Sequence, residues 1–197
     1  MNAKTKDHNL LSNAISEHAD LVQSIFYEDN KKIINIVEIL LKTIKNGGTI
    51  FWCGNGGSAA DSQHLNAELI GRFEKDRLPI KSQALTTDTS VITALSNDYS
   101  YNYIFSRQIK AYCKKKDSIV FISTSGNSKN IIEGLKEAKR IGCNRISFLG
   151  KNGGKAKNIS NFSLIIKSNN TARIQEMHIL IGHLICLLLE KKIFKKI

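Results

Sequence analysis

Two ionisable side chains four residues apart, His64 and Glu68, lie in a stretch that the sequence pattern predicts to be a helix. Because an α-helix has about 3.6 residues per turn, the two side chains share one face and lie one turn apart. A carboxylate and an imidazole are common groups in general acid–base catalysis. A structural role is also open for the carboxylate, because Glu68 could pair with Arg72 at the next turn of the same helix.

A second group of polar side chains lies on the last predicted helix, from about Thr171 to Lys192. Gln175 and His183 are on this helix, and His178 is between them. A single histidine in an apolar helix is more often a buried core residue with a hydrogen-bond partner than a catalytic group. Chemistry is favoured here because the His64 helix begins at a loop suited to anions, which places that helix beside the expected substrate.

The loop before the His64 helix, Gly54-Asn55-Gly56-Gly57-Ser58, directly follows a predicted strand. Its glycines let the backbone approach a ligand, and the start of a helix presents free N–H groups and a positive dipole end. The loop matches neither a Walker loop nor Gly-x-Gly-x-x-Gly. A tight turn with Ser58 as the helix N-cap explains the pattern equally well.

A second loop, Ser123-Thr124-Ser125-Gly126-Asn127-Ser128, also lies between a predicted strand and a predicted helix. Its hydroxyl and backbone N–H groups can all donate to a single oxyanion. Capping a helix needs only one such hydroxyl, so a purely structural role explains this loop poorly. We therefore predict that the serine loop, defined as residues 123–128, binds a phosphate monoester through neutral donors.

The elements that must position these residues alternate along the chain after a helical region at 9–46 and the turn Asn46-Gly47-Gly48. Predicted strands are Thr49–Cys53, Ile80–Leu85, Ser118–Ile122, Arg145–Leu149 and Ser163–Ile166. Predicted helices are Ser58–Arg72, Ser90–Cys113 with a break near Asn97-Asp98, Lys129–Ile141, a shorter piece at Lys155–Ile159, and the last helix. This alternation predicts an α/β fold, a doubly wound five-stranded parallel sheet flanked by helices, with N-terminal helices and a long C-terminal helix. The ligand is expected beyond the carboxyl ends of the strands.

Length and composition limit the class of protein. The 197 residues suit one domain. With 42% hydrophobic and 23% charged residues, the composition excludes the disordered and fibrous classes of protein. No apolar run reaches the ~18–20 residues of a membrane span, and the first residues lack the apolar core of a secretion signal. The net charge of +12 suits an anionic ligand, but the lysines are dispersed and few aromatics lie among the arginines. We expect a small phosphorylated substrate, no membrane and no nucleic acid.

The cysteines indicate the compartment. Cys53, Cys113, Cys143 and Cys186 are irregularly spaced and include no Cys-x-x-Cys, which argues against a zinc ribbon and a disulfide framework. We therefore expect a reducing cytoplasm.

Three motifs together resemble the sugar isomerase (SIS) family, and within it the phosphoheptose isomerases. They are the first glycine loop, the serine loop and the segment Thr171-Ala172-Arg173-Ile174-Gln175-Glu176-Met177-His178, and the resemblance covers nearly the whole chain. It implies a SIS-type, flavodoxin-like fold in one domain, 1–197. Within that domain, helices in 1–46 would serve oligomer packing, and 47–197 would form the α/β core and the C-terminal helix.

The resemblance implies an aldose–ketose isomerase that converts sedoheptulose 7-phosphate to D-glycero-D-manno-heptose 7-phosphate through an enediol or enediolate. This is the first step of nucleotide-activated heptose biosynthesis, for lipopolysaccharide, capsule or other glycans. Glu68 would be the base and His183 the acid, without an organic cofactor. Implied substrate contacts are Asn55, Gly56, Gly57, Glu68, Asn97, Asp98, Ser123, Thr124, Ser125, Ser128 and Gln175.

The resemblance also implies one zinc ion per subunit, bound by His64, Glu68, Gln175 and His183, and a homotetramer. Gln175 and His183 are eight residues apart, hence about 12 Å along a straight helix. Both reach one ion only if their side chains converge or if a neighbouring subunit supplies one of them. We therefore expect the sites at subunit interfaces.

Three alternatives remain open at this stage. One is a non-catalytic SIS adaptor that binds the replication initiator protein; such a relative lacks the glutamate and the last histidine, whereas this chain has Glu68 and His183. Another is a sugar-phosphate-sensing domain, which would need the phosphate site but no proton-transfer pair. The third is an isomerase of another sugar phosphate, because chain-length preference depends on the depth of the pocket.

Overall fold

A computed structural model describes residues 3–194, and the predicted domain limits 1 and 197 lie outside this range. Its centre is one five-stranded sheet, in which all neighbouring strands are parallel. The strands follow the order β2-β1-β3-β4-β5. Their bounds are β1 Ile50–Gly54, β2 Ser82–Ala84, β3 Ser118–Ser123, β4 Asn144–Gly150 and β5 Phe162–Ile166.

Seven α-helices surround the sheet in the described residues. They are α1 Ala3–Ser24, α2 Asn30–Lys45, α3 Gly57–Ile70, α4 Thr89–Asp98, α5 Ile104–Tyr112, α6 Lys129–Ile141 and α7 Thr171–Ile193. A π-helical turn at Ile25–Asp29 joins α1 to α2, and 3₁₀ turns lie at Tyr101–Tyr103 and Ala156–Asn158.

The central strands are apolar on both faces because each face is covered by helices. Alternate residues of β1 belong to different cores: Trp52 packs in a core with residues of α2, α3 and α7, and Phe51 packs in a core with residues of α5 and α6. Every residue of β1 and of β3 is buried. The predicted α/β fold with a doubly wound parallel sheet is confirmed.

The boundaries differ from the predictions by a few residues. The predicted second strand is Ile80–Leu85, but the ladder covers only Ser82–Ala84, because this strand is at an edge of the sheet and pairs on one side only. The break expected near Asn97-Asp98 is present, since α4 ends at Asp98 and α5 begins at Ile104. The piece expected at Lys155–Ile159 is a single 3₁₀ turn.

Helices α3 and α7 lie side by side and run in the same direction. Gly57 at the start of α3 faces Gln175 near the start of α7, and Leu65 faces Gly182 two turns later. The helices approach closely there, because a Cβ on Gly182 would lie 2.4 Å from Leu65 Cδ2. This parallel pair extends away from the carboxyl ends of β1 and β3 and carries five of the predicted site residues, Gly57, His64, Glu68, Gln175 and His183.

Among the described residues, α7 is the one helix long and apolar enough to cross a membrane. Its apolar face is instead part of the domain core, where Met177, Ile181, Ile185 and Leu189 are each 0% exposed. The helix is apolar because it packs between the sheet and the neighbouring helices α2 and α3.

Candidate active site

The first glycine loop, residues 54–58, folds so that Gly54 lies against the backbone of Ser58 and Gly57 lies against the side-chain amide of Gln175. A Cβ on Gly54 would lie 2.4 Å from the carbonyl oxygen of Ser58, and a Cβ on Gly57 would lie 2.5 Å from Gln175 Nε2. Gly56 has a φ of +56°, a conformation that favours glycine. The loop thereby delivers the N-terminus of α3 to the side of α7.

The serine loop is buttressed by the loop that follows β4. Gly126 has a φ of +62°, and a Cβ there would lie 2.1 Å from the carbonyl oxygen of Gly153. The backbone N–H of Ala156 donates to the Gly126 carbonyl at 3.0 Å, and the N–H of Lys155 donates to Asn127 Oδ1 at 3.1 Å. These contacts hold the donor groups of the serine loop in one arrangement.

A small polar cavity of about 70 Å³ lies between the two loops, and we call it the cradle. Its lining residues are Asn55, Ser58, Ile122, Ser123, Thr124, Ser128 and Gln175. Ser128 occupies the N-cap position of α6 but makes no capping hydrogen bond, so its hydroxyl is available to a ligand. The cradle has room for a small group such as a phosphoryl group, at the N-terminus of α6, which favours an anion.

A polar network orients Asn55 at the edge of the cradle. Its side-chain amide is paired reciprocally with that of Asn130, at 2.8 and 2.9 Å. The backbone N–H of Ile131 donates to Asn130 Oδ1, which identifies that atom as the oxygen. Asn55 Nδ2 must therefore donate to it, and the Tyr101 hydroxyl then donates to Asn55 Oδ1 at 2.9 Å. Sequence reasoning missed Asn130 and Tyr101, because nothing in their local pattern indicates a partner so distant in sequence.

The acid–base residues meet further along α3 and α7. His64 Nε2 lies 3.0 Å from His183 Nε2 and 3.3 Å from Glu68 Oε1. The ligand atoms of His64, Glu68 and His183 all lie within 4.8 Å of one another. One chain therefore brings these three groups together without a contribution from a second subunit, and Glu68 lies against His64 rather than Arg72.

The electrostatics of this cluster keep His183 neutral near pH 7. Burial and the neighbouring His64 lower the pKa of His183, and Glu68 opposes them less strongly. A neutral imidazole still carries one N–H, which it can donate to an oxyanion that develops on the substrate.

Asp61 is a further acidic residue in this region that the sequence analysis did not single out. Gly57, Asp61, His64 and Glu68 follow a spacing that puts them on one stripe of α3. Burial raises the pKa of Asp61 to about 6, against the opposing effect of His64. Its Oδ2 is buried and has no hydrogen-bond partner among the described residues.

His178 has a structural role. Its side chain is 0% exposed, and Nε2 lies 3.1 Å from the Leu149 carbonyl oxygen, to which it donates. Burial lowers the pKa of His178 to about 4, so the ring is neutral. The role of a buried core histidine, considered for His183 from the sequence, belongs to this residue, whose Nε2 is paired and whose Nδ1 has no hydrogen-bond partner among the described residues.

Five predicted contact residues are neither among the lining residues of the cradle nor in the acid–base cluster of this single chain: Gly56, Gly57, Ser125, Asn97 and Asp98. Ser125 lines a larger neighbouring cavity together with Asn127, and its hydroxyl accepts the Asn127 N–H at 3.2 Å. Asn97 and Asp98 end α4, are exposed and hydrogen-bond to each other at 3.0 Å. Among the described residues, neither Asn97 nor Asp98 lines the cradle.

Known proteins similar to this chain show its family. Residues 15–150 match the model of the SIS domain. The chain is 52% identical over 162 residues to a Thermoplasma acidophilum protein named "Probable phosphoheptose isomerase", covering 82% of this chain and 89% of the relative. It is 51% identical over 164 residues to the phosphoheptose isomerase of Clostridium acetobutylicum, covering 83% and 84%. The chain belongs to the phosphoheptose isomerase family.

A solved structure extends the comparison to three dimensions. The phosphoheptose isomerase of Neisseria gonorrhoeae superposes with a TM-score of 0.88 at 36% identity, covering 93% of this chain and 98% of that one. The likeness therefore includes the N-terminal helices, the sheet and α7. The chain is an isomerase of this family.

Proposed function

We propose that the chain converts sedoheptulose 7-phosphate to D-glycero-D-manno-heptose 7-phosphate, the first step of nucleotide-activated heptose synthesis. One observation carries this proposal: the same two parallel helices start beside the phosphate-sized cradle and hold an acid–base cluster farther along. A phosphorylated sugar lying between them would present its phosphate to neutral donors and its reacting carbons to Glu68 and His183.

The dimensions suit a seven-carbon sugar. Gln175 lines the cradle and His183 belongs to the cluster, so the two ends are about 12 Å apart along α7. An extended chain advances about 1.2 Å per bond, so the eight bonds from C1 to the phosphorus of a heptose 7-phosphate span about 9–10 Å. Adding a hydrogen-bond distance of about 3 Å closes the gap.

Glu68 and His183 have separate roles in the reaction. Glu68 takes a proton from C1 of the ketose while His183 gives a proton to the oxygen on C2, and a C1–C2 double bond forms. The enediol then gives the proton of its C1 hydroxyl back to His183 and receives at C2 the proton held by Glu68, which leaves the aldehyde at C1. No electrons leave the substrate, and the same carboxyl group can carry the proton between the two carbons.

We propose that His64, Glu68 and His183 of one chain bind zinc and that Gln175 of a neighbouring subunit completes the ligand set, because Gln175 of the same chain lies at the cradle, about 12 Å along α7 from His183. Two imidazoles and a carboxylate are a donor set that Zn²⁺ accepts. Two nitrogen ligands of a tetrahedral Zn²⁺ lie about 3.3 Å apart, and the two Nε2 atoms here are 3.0 Å apart. When bound, the ion would supply Lewis-acid polarisation of the sugar oxygens.

We further propose that the protein is a cytoplasmic homotetramer in which residues 1–46 pack between subunits and the sites lie at subunit interfaces. Large apolar side chains on this segment are exposed in the single chain, among them Leu11 at 66%, Ile15 at 67% and Tyr27 at 77%. A second copy covering them would remove this apolar surface from water. Four buried free cysteines suit a reducing compartment.

The decisive experiment is incubation of the purified protein with sedoheptulose 7-phosphate, following aldose formation by NMR with and without a chelator. We expect conversion, and we expect the chelator to slow it. A six-carbon ketose phosphate in a parallel reaction tests the chain-length argument. No conversion of the heptose would overturn the proposed substrate, whereas full activity after verified removal of metal would remove zinc alone.

A further inference from the structure

Residues 71–78, which lie in the segment between α3 and β2, are held to α7 by one carboxylate. Glu190 Oε1 accepts the backbone N–H groups of Glu74 at 3.1 Å and Lys75 at 2.9 Å. Glu190 Oε2 accepts the N–H of Phe73 at 3.3 Å and Nε–H of Arg77 at 3.0 Å. We call Arg77, Glu190 and the segment 71–78 the clamp.

The other side of the Arg77 guanidinium caps the C-terminus of α3. Nη2 donates to the Glu68 carbonyl at 2.7 Å, and Nη1 donates to the Leu69 carbonyl at 2.9 Å. The last carbonyl groups of a helix have no partner within the helix, so a side chain commonly satisfies them. Here the capped turn is the one that carries Glu68.

The clamp also controls the surroundings of His183. The ring of Phe73 lies against the imidazole, with centroids 5.8 Å apart and planes inclined by 33°. The backbone N–H of this phenylalanine is one of the groups that Glu190 holds. Through Arg77, the Arg77–Glu190 ion pair hydrogen-bonds to the backbone carbonyl of Glu68. Through Glu190, it holds Phe73, which packs on His183.

Burial makes the ion pair costly and its full set of partners necessary. The side chains of Arg77 and Glu190 are each 2% exposed. Burial raises the pKa of Glu190, but Arg77 and the three backbone N–H groups outweigh burial and keep that pKa below its ordinary value. Apolar side chains of similar volume often stabilise a fold as well as a buried ion pair does, so the directional hydrogen bonds are the distinctive property of this pair.

We propose that Arg77 and Glu190 are positioning residues that set the separation and orientation of Glu68 and His183 for proton transfer. This role rests on the proposed isomerase function. The clamp lies at the end of the helix pair remote from the cradle, so it should affect turnover more than phosphate binding. A misplacement of about 1 Å at a reacting pair can lower a rate ~100-fold.

The test begins with Glu190→Gln, which keeps the shape of the side chain but replaces one acceptor oxygen by a donor. We expect kcat for sedoheptulose 7-phosphate to fall at least about tenfold, with KM changed by less than about threefold. Lys192→Met is the matched control on the same helix, because Lys192 forms an exposed ion pair with Glu38 at 2.8 Å. The control should retain wild-type kcat.

A double-mutant cycle separates positioning from general destabilisation. Phe73→Leu leaves the clamp hydrogen bonds in place and removes the ring beside His183, and we expect about a fivefold loss of kcat. If Glu190 acts partly through Phe73, the double variant loses clearly less than the product of the two single losses. A merely structural Glu190 would give multiplicative losses, because its effect would not depend on the ring.

Phe73→Leu also serves if Glu190→Gln does not fold, because wild-type kcat in that variant would overturn the orientation of His183 by the clamp. Wild-type kcat in folded Glu190→Gln would overturn the role of the clamp as a whole, and multiplicative losses in the cycle would overturn its action through Phe73. In each of these cases the active wild-type protein would still support the proposed function. A wild-type protein without turnover would overturn the function, and the catalytic role of the clamp with it.

Discussion

The cradle and the acid–base cluster occupy the two ends of one helix pair but are built in different ways. The cradle consists of backbone and neutral side chains, held by glycines that permit contacts such as that between Gly126 and Gly153. The cluster consists of ionisable side chains on two helices, part of each exposed. Binding an anion needs fixed donors, whereas moving a proton needs groups whose pKa can be adjusted and which can approach the substrate. Substitutions at the two ends should therefore change different kinetic constants.

The largest expected effect is at the cluster. Glu68→Gln preserves the shape of the side chain but removes the base, so turnover should fall at least ~100-fold while substrate affinity changes little. Single-turnover kinetics and calorimetric binding of the substrate measure the two quantities separately. Glu133→Gln on α6 is the control, since this carboxylate forms a surface ion pair with Lys136. Near-normal turnover in Glu68→Gln would remove this residue from the mechanism.

The two histidines of α7 also differ, because His178 is buried in the core whereas His183 belongs to the acid–base cluster. The dependence of stability on pH tests the state of His178. The pKa of His178 is about 4 in the folded chain, below the ordinary value near 6.5. As pH falls below 6.5, the unfolded chain binds a proton that the native His178 does not, so the free energy of unfolding decreases. From pH 7.5 to 5.0 this histidine should cost about 2 kcal/mol of stability.

Urea unfolding of the wild type and of His178→Gln at both pH values tests this expectation. The variant cannot take up that proton, so its loss of stability between the two pH values should be smaller by about 2 kcal/mol, whatever its absolute stability. Equal losses in the two proteins would contradict the neutral, buried state of His178.

A smaller effect is expected at the cradle. Ser128→Ala removes one neutral donor to the phosphate, which should weaken substrate affinity about tenfold and leave the rate of the bound complex nearly unchanged. Adding Ser125→Ala should weaken affinity further but by less, because Ser125 lines the neighbouring cavity and its hydroxyl already accepts a hydrogen bond. Unchanged affinity in the double variant would locate the phosphate elsewhere.

Local patterns in the sequence predicted the elements well, because the signals that define them are short-range. Apolar runs between glycine and asparagine turns located all five strands, and the predicted bounds of α6 agree with those observed. The edge strand β2 was predicted too long, since a pattern of apolar residues shows burial but not how many residues have a ladder partner. The roles of the individual site residues stay predictions, although the structure brings His64, Glu68 and His183 together.

The sequence by itself determined the α/β class, the position of the two loops between a strand and a helix, and the helix face shared by His64 and Glu68, because spacing along one element defines which side chains share a face. Only the tertiary structure decided which distant groups meet. Residues 64 and 183 are 119 positions apart, yet their Nε2 atoms lie 3.0 Å from each other. The Asn55–Asn130 pair and the Arg77–Glu190 pair likewise depend on close packing between elements. Such contacts are chosen by the packing of the whole core, in which each pair competes with many others, and no local pattern contains that information.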